Sequence, residues 1–215
     1  MEKIRYLTLL NDGEAEYEVE RSRFIGYARP VSTEDEAKAF FDEIRKRHRQ
    51  ATHNVPAYVL GEQGERVWCS DDGEPSGTSG APIAHMLAAK GITDAAVIVT
   101  RYFGGVKLGT GGLVRAYTHA AELAIKGAVV CKVTEKTVMT WVCDYSLYSK
   151  VEILAKTHAG LFEIANPAFT SDVQFEIIVD SQEKERAVNL ITANAPPARL
   201  MGEKLQFLKV PIDVV

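Results

Sequence analysis

Cysteine is scarce and unpatterned in this chain: Cys69, Cys131 and Cys143 are an odd, widely spaced set, with no C-x-x-C pair and no histidine at zinc-finger distance. That argues against a disulfide framework or a structural zinc site, and it reads as three reduced, mostly buried thiols acting as small hydrophobes. No apolar run approaches the ~20 residues needed to span a bilayer, and the opening Met1-Glu2-Lys3-Ile4-Arg5 lacks the apolar core of a secretory signal. A cytoplasmic location with no membrane partner is therefore expected. A basic surplus is missing too: the net charge is -4, so any nucleic-acid surface has to be a local patch. Repeats and low-complexity tracts are absent. What remains is a globular composition, 46% hydrophobic and 25% charged over 215 residues, enough for one large domain or two small ones.

Along the chain, Ile4 to Glu20 carries a turn signal at Asn11-Asp12-Gly13 and predicts a hairpin. Ser22 to Val31 reads as a strand. From Thr33 the period changes to helical, with Ala37, Phe40, Phe41 and Ile44 on one face, acids in the first turn and bases in the last. That charge order suits the helix dipole and predicts a helix to about Arg49. Short strands follow at Ala57 to Leu60 and Arg66 to Cys69. Ser70 to Gly80 has almost no apolar residue and must be a loop. Next come a helix from about Ala81 to Gly91, a strand buried on both faces over Ala95 to Thr100, a glycine-rich loop, and an apolar helix from about Leu113 to Ile125. A boundary is placed near residue 130, giving domains 1–130 and 131–215. The second reads strand, helix, strand, strand, helix, strand, the βαββαβ order of a ferredoxin-like unit, so the fold class is α+β.

The glycine-rich loop after the buried strand is the strongest chemical feature. Gly104, Gly105, Gly109, Gly111 and Gly112 allow close backbone approach to a ligand, Thr110 adds a hydroxyl, the following helix start adds positive potential, and Arg101, Lys107 and Arg115 supply charge. Such a loop suits an anion such as RNA phosphate. It is not a Walker A loop, because no Gly-Lys-Ser/Thr closes it, and it lacks the acidic residue about 20 positions on that a dinucleotide fold would show. The alternative is structural: the glycines permit tight packing, and the arginines pair with Asp71, Asp72 and Glu74.

The acidic loop could also offer oxygen ligands, helped by the Ser76 and Thr78 hydroxyls, but its spacing fits no EF-hand and no metal is assigned. His53 could act as a base or face RNA. No nucleophile completes it, so no catalytic residue and no cofactor is assigned. The basic cluster Arg45 to Arg49, with Arg21 and Arg23, could extend a phosphate-contacting stripe or be a solvated helix end.

Four blocks, in order, carry a family resemblance: Ser22-Arg23-Phe24-Ile25, Ala51-Thr52-His53-Asn54, Ser70 to Thr78, and Val99 to Tyr117. They are similar to the signature blocks of the YigZ/IMPACT family over about the first three-fifths of the chain. The resemblance implies a first domain with the fold of the second domain of ribosomal protein S5, and a second domain like a ferredoxin-like module near the end of elongation factor G. It also implies a link to translation, since eukaryotic members act in translational control. The expected function is a non-enzymatic binder of RNA, the ribosome or a translation factor, with His53, Asp71, Asp72, Glu74, Ser76 and Thr78 shaping the groove. Two rivals stand beside it: a hydrolase or phosphate-metabolite enzyme using His53 and the acidic loop, and a protein–protein adaptor whose loop is structural.

Overall fold

Thr33, at the head of the acidic run, caps a helix: its side-chain oxygen accepts from the Glu36 N–H at 3.2 Å, and α1 follows over Glu34–Arg47. Acids fill its first turn and bases its last, while Ala37, Phe40, Phe41 and Ile44 are buried. The computed structural model describes residues 4–196 and 198–212. Its elements are β1 (Ile4–Leu9), β2 (Gly13–Val19), β3 (Ser22–Pro30), α1, β4 (His53–Leu60), β5 (Arg66–Cys69), α2 (Gly80–Ala89), β6 (Ala95–Tyr102), α3 (Gly109–Ala128), β7 (Val130–Cys143), α4 (Tyr145–Thr157), β8 (Phe162–Phe169), β9 (Val173–Asp180), α5 (Lys184–Asn194) and β10 (Arg199–Pro211).

Two compact units emerge: Arg5–Val133 together with the segment from Lys209, and Thr134–Leu208 together with Ile4. The first holds the sheet β2-β3-β6-β4-β5, antiparallel at every pairing. Its centre is β6, the apolar run expected to be buried on both faces. Ala95, Val97 and Val99 face one core with α2 and α3, while Ala96 and Ile98 face the other with α1. Helix α3 lies close on β2 and β3 because Ala120 and Ala124 meet a glycine: a Cβ at Gly26 would collide with the Ala120 carbonyl. The segment from Lys209 returns to this unit, with Lys209 Nζ 3.0 Å from the Leu9 carbonyl and Ile212 N–H donating to Val130 at 3.0 Å.

The second unit has the expected βαββαβ order. Strand β9 lies between β7 and β8, and β10 pairs with β7. Its core runs from Met139 and Trp141 through Val151 and Phe175 to Ile191. Asp144 caps α4 by accepting from the Leu147 N–H at 2.9 Å.

Three local expectations change. The turn at Asn11–Gly13 joins two strands that do not pair with each other: β1 pairs with β7, and β2 pairs with β3. The physical reason is that Leu10 and Asn11 donate to the Val129 and Ala128 carbonyls at the end of α3, which steers the chain away from a hairpin. The hairpin forms instead at Glu20-Arg21, where both residues hold positive φ, 46° and 63°. Helix α3 starts at Gly109 rather than Leu113, pulled back by the buried stripe Leu113, Ala116, Tyr117 and Ala120 against the poor propensity of glycine. Strand β4 reaches back to His53, which therefore stands on a strand.

Candidate functional site

The acidic segment folds around one carboxylate. Asp71 Oδ1 accepts from the Ser79 N–H (3.1 Å), the Ser79 hydroxyl (2.8 Å) and the Gly80 N–H (2.9 Å), and Oδ2 accepts from the Gly77 N–H (2.8 Å). Since Ser79 and Gly80 open α2, Asp71 caps that helix from upstream. Burial alone would raise the Asp71 pKa, but hydrogen bonds from Gly77, Ser79 and Gly80 outweigh it and hold the carboxyl below its usual range. Both oxygens are taken. Among the described residues, no group of three or more His, Cys, Asp or Glu side chains is placed to hold a metal ion. Thr78 is buried and donates to the Pro75 carbonyl at 2.6 Å, while Ser76 is exposed.

Asp72, at φ 47°, ties the same loop to β4. Its Oδ2 accepts from the Asn54 N–H at 2.6 Å, and its carbonyl lies 2.7 Å from His53 Nδ1. A carbonyl only accepts, so Nδ1 carries the hydrogen and Nε2 is left 3.8 Å from Glu74 Oε1, beyond hydrogen-bond range.

Glu74 is buried, and its Oε1 is the centre of the site. Arg101 Nη1 donates to it at 2.6 Å and the Tyr117 hydroxyl at 2.7 Å. The Glu74 and Arg101 side chains are only 4% and 6% exposed. Burial, then Glu74, drives the Tyr117 pKa far up, so the phenol stays a donor. The Arg101 guanidinium lies 5.3 Å from the ring centroids of both Phe24 and Phe103, and its Nη2 reaches the buried Ser22 hydroxyl at 3.4 Å. Arg101 is thus committed inward, to the acidic loop, and we leave it out of the proposed contact surface. Ser22 and Tyr117 belong to the network without having been singled out. The signal for both was their place in the same sequence blocks as Phe24 and Arg115.

The glycine-rich loop wraps the end of the sheet beside this network. Gly104 donates to the Ser22 hydroxyl at 3.2 Å and lies so close to the Arg21 carbonyl that a Cβ would collide with it. The Phe103 N–H donates to the Thr52 hydroxyl at 3.0 Å, which brings the segment after α1 to the same place. Gly105 and Gly109 hold φ of 85° and 71°. Thr110, Gly111 and Gly112 form the first turn of α3, where Leu108 at the N-cap position offers no side-chain acceptor. The contrast with α2 is direct: one helix start is closed by Asp71, the other is open. Arg115 lies along that open turn, its Nη1 3.6 Å from where a Cβ of Gly111 would stand. Arg21, Arg49, Lys107 and Arg115 are all exposed, and none forms an ion pair among the described residues.

Residues 20–125, which contain this whole constellation, match the family model described as the Impact N-terminal domain. The chain is 39% identical over 178 residues to IMPACT family member YvyE of Bacillus subtilis (strain 168), covering 83% of this chain and 81% of that protein. It is 36% identical over 139 residues to IMPACT family member YigZ of Escherichia coli (strain K12), covering 64% and 68%. A crystal structure of a hypothetical protein, 27% identical, superposes with a TM-score of 0.58 over 98% of this chain and 100% of that one.

Proposed function

The chain belongs to the IMPACT family, and from that premise we propose that it is a translation-linked binding protein whose first unit docks RNA phosphate. The contacts are Arg21, Arg49, Lys107 and Arg115, with the uncapped amides of α3 beside them. One observation carries the reading: most other cations of this unit face a carboxylate, as Arg5 faces Glu62, Arg23 faces Glu16, Arg29 faces Asp12 and Glu43, and Arg47 faces Glu14. Arg21, Arg49, Lys107 and Arg115 have no such partner among the described residues. Free charge gathered at one end of a sheet on an acidic protein is what a local polyanion site requires. The link to translation follows from the family resemblance.

The rival enzyme reading finds its carboxylates already engaged. Asp71 is spent on backbone donors, and Glu74 on Arg101 and Tyr117. His53 Nδ1 is turned to the Asp72 carbonyl, and among the described residues no nucleophile contacts its ring.

The test is binding of the purified chain to ribosomal subunits and short single-stranded RNA across a salt series. With three or four phosphates contacted, raising salt from 50 to 200 mM weakens binding by about 20- to 50-fold. Lys107→Ala/Arg115→Ala flattens that slope, and Lys126→Ala, an exposed cation elsewhere on the unit, leaves it intact. A folded sample that binds neither RNA nor subunits at low salt overturns the reading.

A further inference from the structure

Beside the glycine-rich loop lies a cleft of about 470 Å³, within the ~300–1,000 Å³ usual for small-molecule sites. We propose that this cleft holds one unpaired nucleotide of an RNA strand, base against its apolar wall and phosphate on Lys107 and Arg115. The proposal rests on the RNA reading above and adds what that reading lacks, a place for the base.

The lining carries the argument. A groove that only tracks phosphates needs charge and has no use for apolar walls. Here Tyr17 and Val19 on β2 and Val106 and Leu108 in the loop form apolar sides, and the two cations stand among them. The Tyr17 ring is held by its neighbours, edge-on to His119 at 4.6 Å and tilted against Phe24 at 6.4 Å. A braced aromatic next to unpaired cations is the usual platform for a single-stranded base and its phosphate. A duplex cannot offer an unstacked base to such a cleft.

The lining also holds Glu20, a carboxylate beside the two cations. It sits in the two-residue turn with Arg21, both at positive φ, a conformation normally given to Asn and Gly. Two long charged side chains are therefore held there against backbone preference. Glu20 makes no ion pair with Lys107 or Arg115. Its oxygens stay available to the N–H donors on a base edge, and they repel a second phosphate from the same cleft.

The full chain is titrated by fluorescence anisotropy, at one low salt concentration, against three octamers: single-stranded RNA, an abasic ribose-phosphate strand, and an RNA duplex. We expect the intact single strand to bind about 5- to 100-fold tighter than the abasic strand. Val106→Gln, which removes an apolar wall in the loop, should erase that gap while its unfolding midpoint stays close to the parent's. Lys107→Ala/Arg115→Ala should weaken all three ligands. Equal affinity for intact and abasic strands overturns the base pocket and leaves the phosphate reading standing. No binding of any octamer defeats the phosphate reading itself. A nucleoside monophosphate competitor separates the sources: displacement only at far higher concentration assigns the cleft to a strand, and displacement at matching concentration assigns it to a free nucleotide and overturns the RNA assignment.

Discussion

Replacing Arg101 by Met leaves Glu74 as a buried charge with one neutral donor, Tyr117, and no counter-ion. At 2.6 Å and an effective dielectric near 20, the two charges attract by about 6 kcal/mol. Bringing each ion out of water costs several kcal/mol, so the intact pair is close to neutral for stability. Removing one partner is not neutral: about 3–5 kcal/mol is lost, because the other charge stays buried. Glu74→Leu alone should cost a similar amount. The double variant Arg101→Met/Glu74→Leu should cost only about 1–3 kcal/mol, the residue being the Tyr117 hydroxyl left without an acceptor. Urea unfolding reads this in a Trp141→Phe background, where Trp68 alone reports on the first unit. That background loses packing volume in the core of the second unit, where Trp141 is buried, so every variant is compared with Trp141→Phe itself. A loss near 1 kcal/mol for Arg101→Met, together with lost RNA binding, would refute the inward role and return Arg101 to the contact surface.

Two further outcomes follow from packing and titration. Gly26→Ala should destabilise by about 1–3 kcal/mol or more, because its Cβ meets the Ala120 backbone carbonyl, which cannot swing aside; thermal unfolding checks it, and an unchanged midpoint would mean that α3 does not lie this close to β3. His48 bonds the Tyr27 and Tyr102 hydroxyls at 2.7 and 2.9 Å, and burial, then Arg47, lowers its pKa from 6.5. The folded state then binds fewer protons than the unfolded one just below pH 6.5, so stability rises with pH through that window and is lost on acidification toward the folded pKa. His48→Gln should flatten that part of the stability profile.

Much of this was legible because periodicity and charge order are local. The helix at α1, the doubly buried β6 and the βαββαβ order of the second unit all come from patterns within a few turns or rungs. Pairing choice was not local. Nothing between residues 4 and 20 reveals that β1 would go to β7, since that depends on the end of α3, more than 100 positions away. Gly109 to Gly112 read as loop because glycine opposes helix by about 1 kcal/mol each, and only the packing of Leu113 and Tyr117 overrides it. At the site, composition named the carboxylates and the arginines but could not say that Glu74, rather than Asp71 or Asp72, would meet Arg101, while Arg115 met none of them.

The open start of α3 gives the sharpest separation between fold and function. Thr110 is exposed in the first turn of α3, whose N-cap position has no side-chain acceptor. Thr110→Glu puts a negative charge where the helix dipole favours one, and should stabilise the first unit by about 0.3–1 kcal/mol. If the proposed phosphate site is right, the same charge competes with phosphate for the start of α3 and should weaken RNA binding by about 5- to 10-fold. Stability and affinity then move in opposite directions. If the glycines and cations only pack the loop, the variant gains stability and RNA binding is unchanged, and that pair of results, from one melting curve and one titration, would remove α3 from the contact surface.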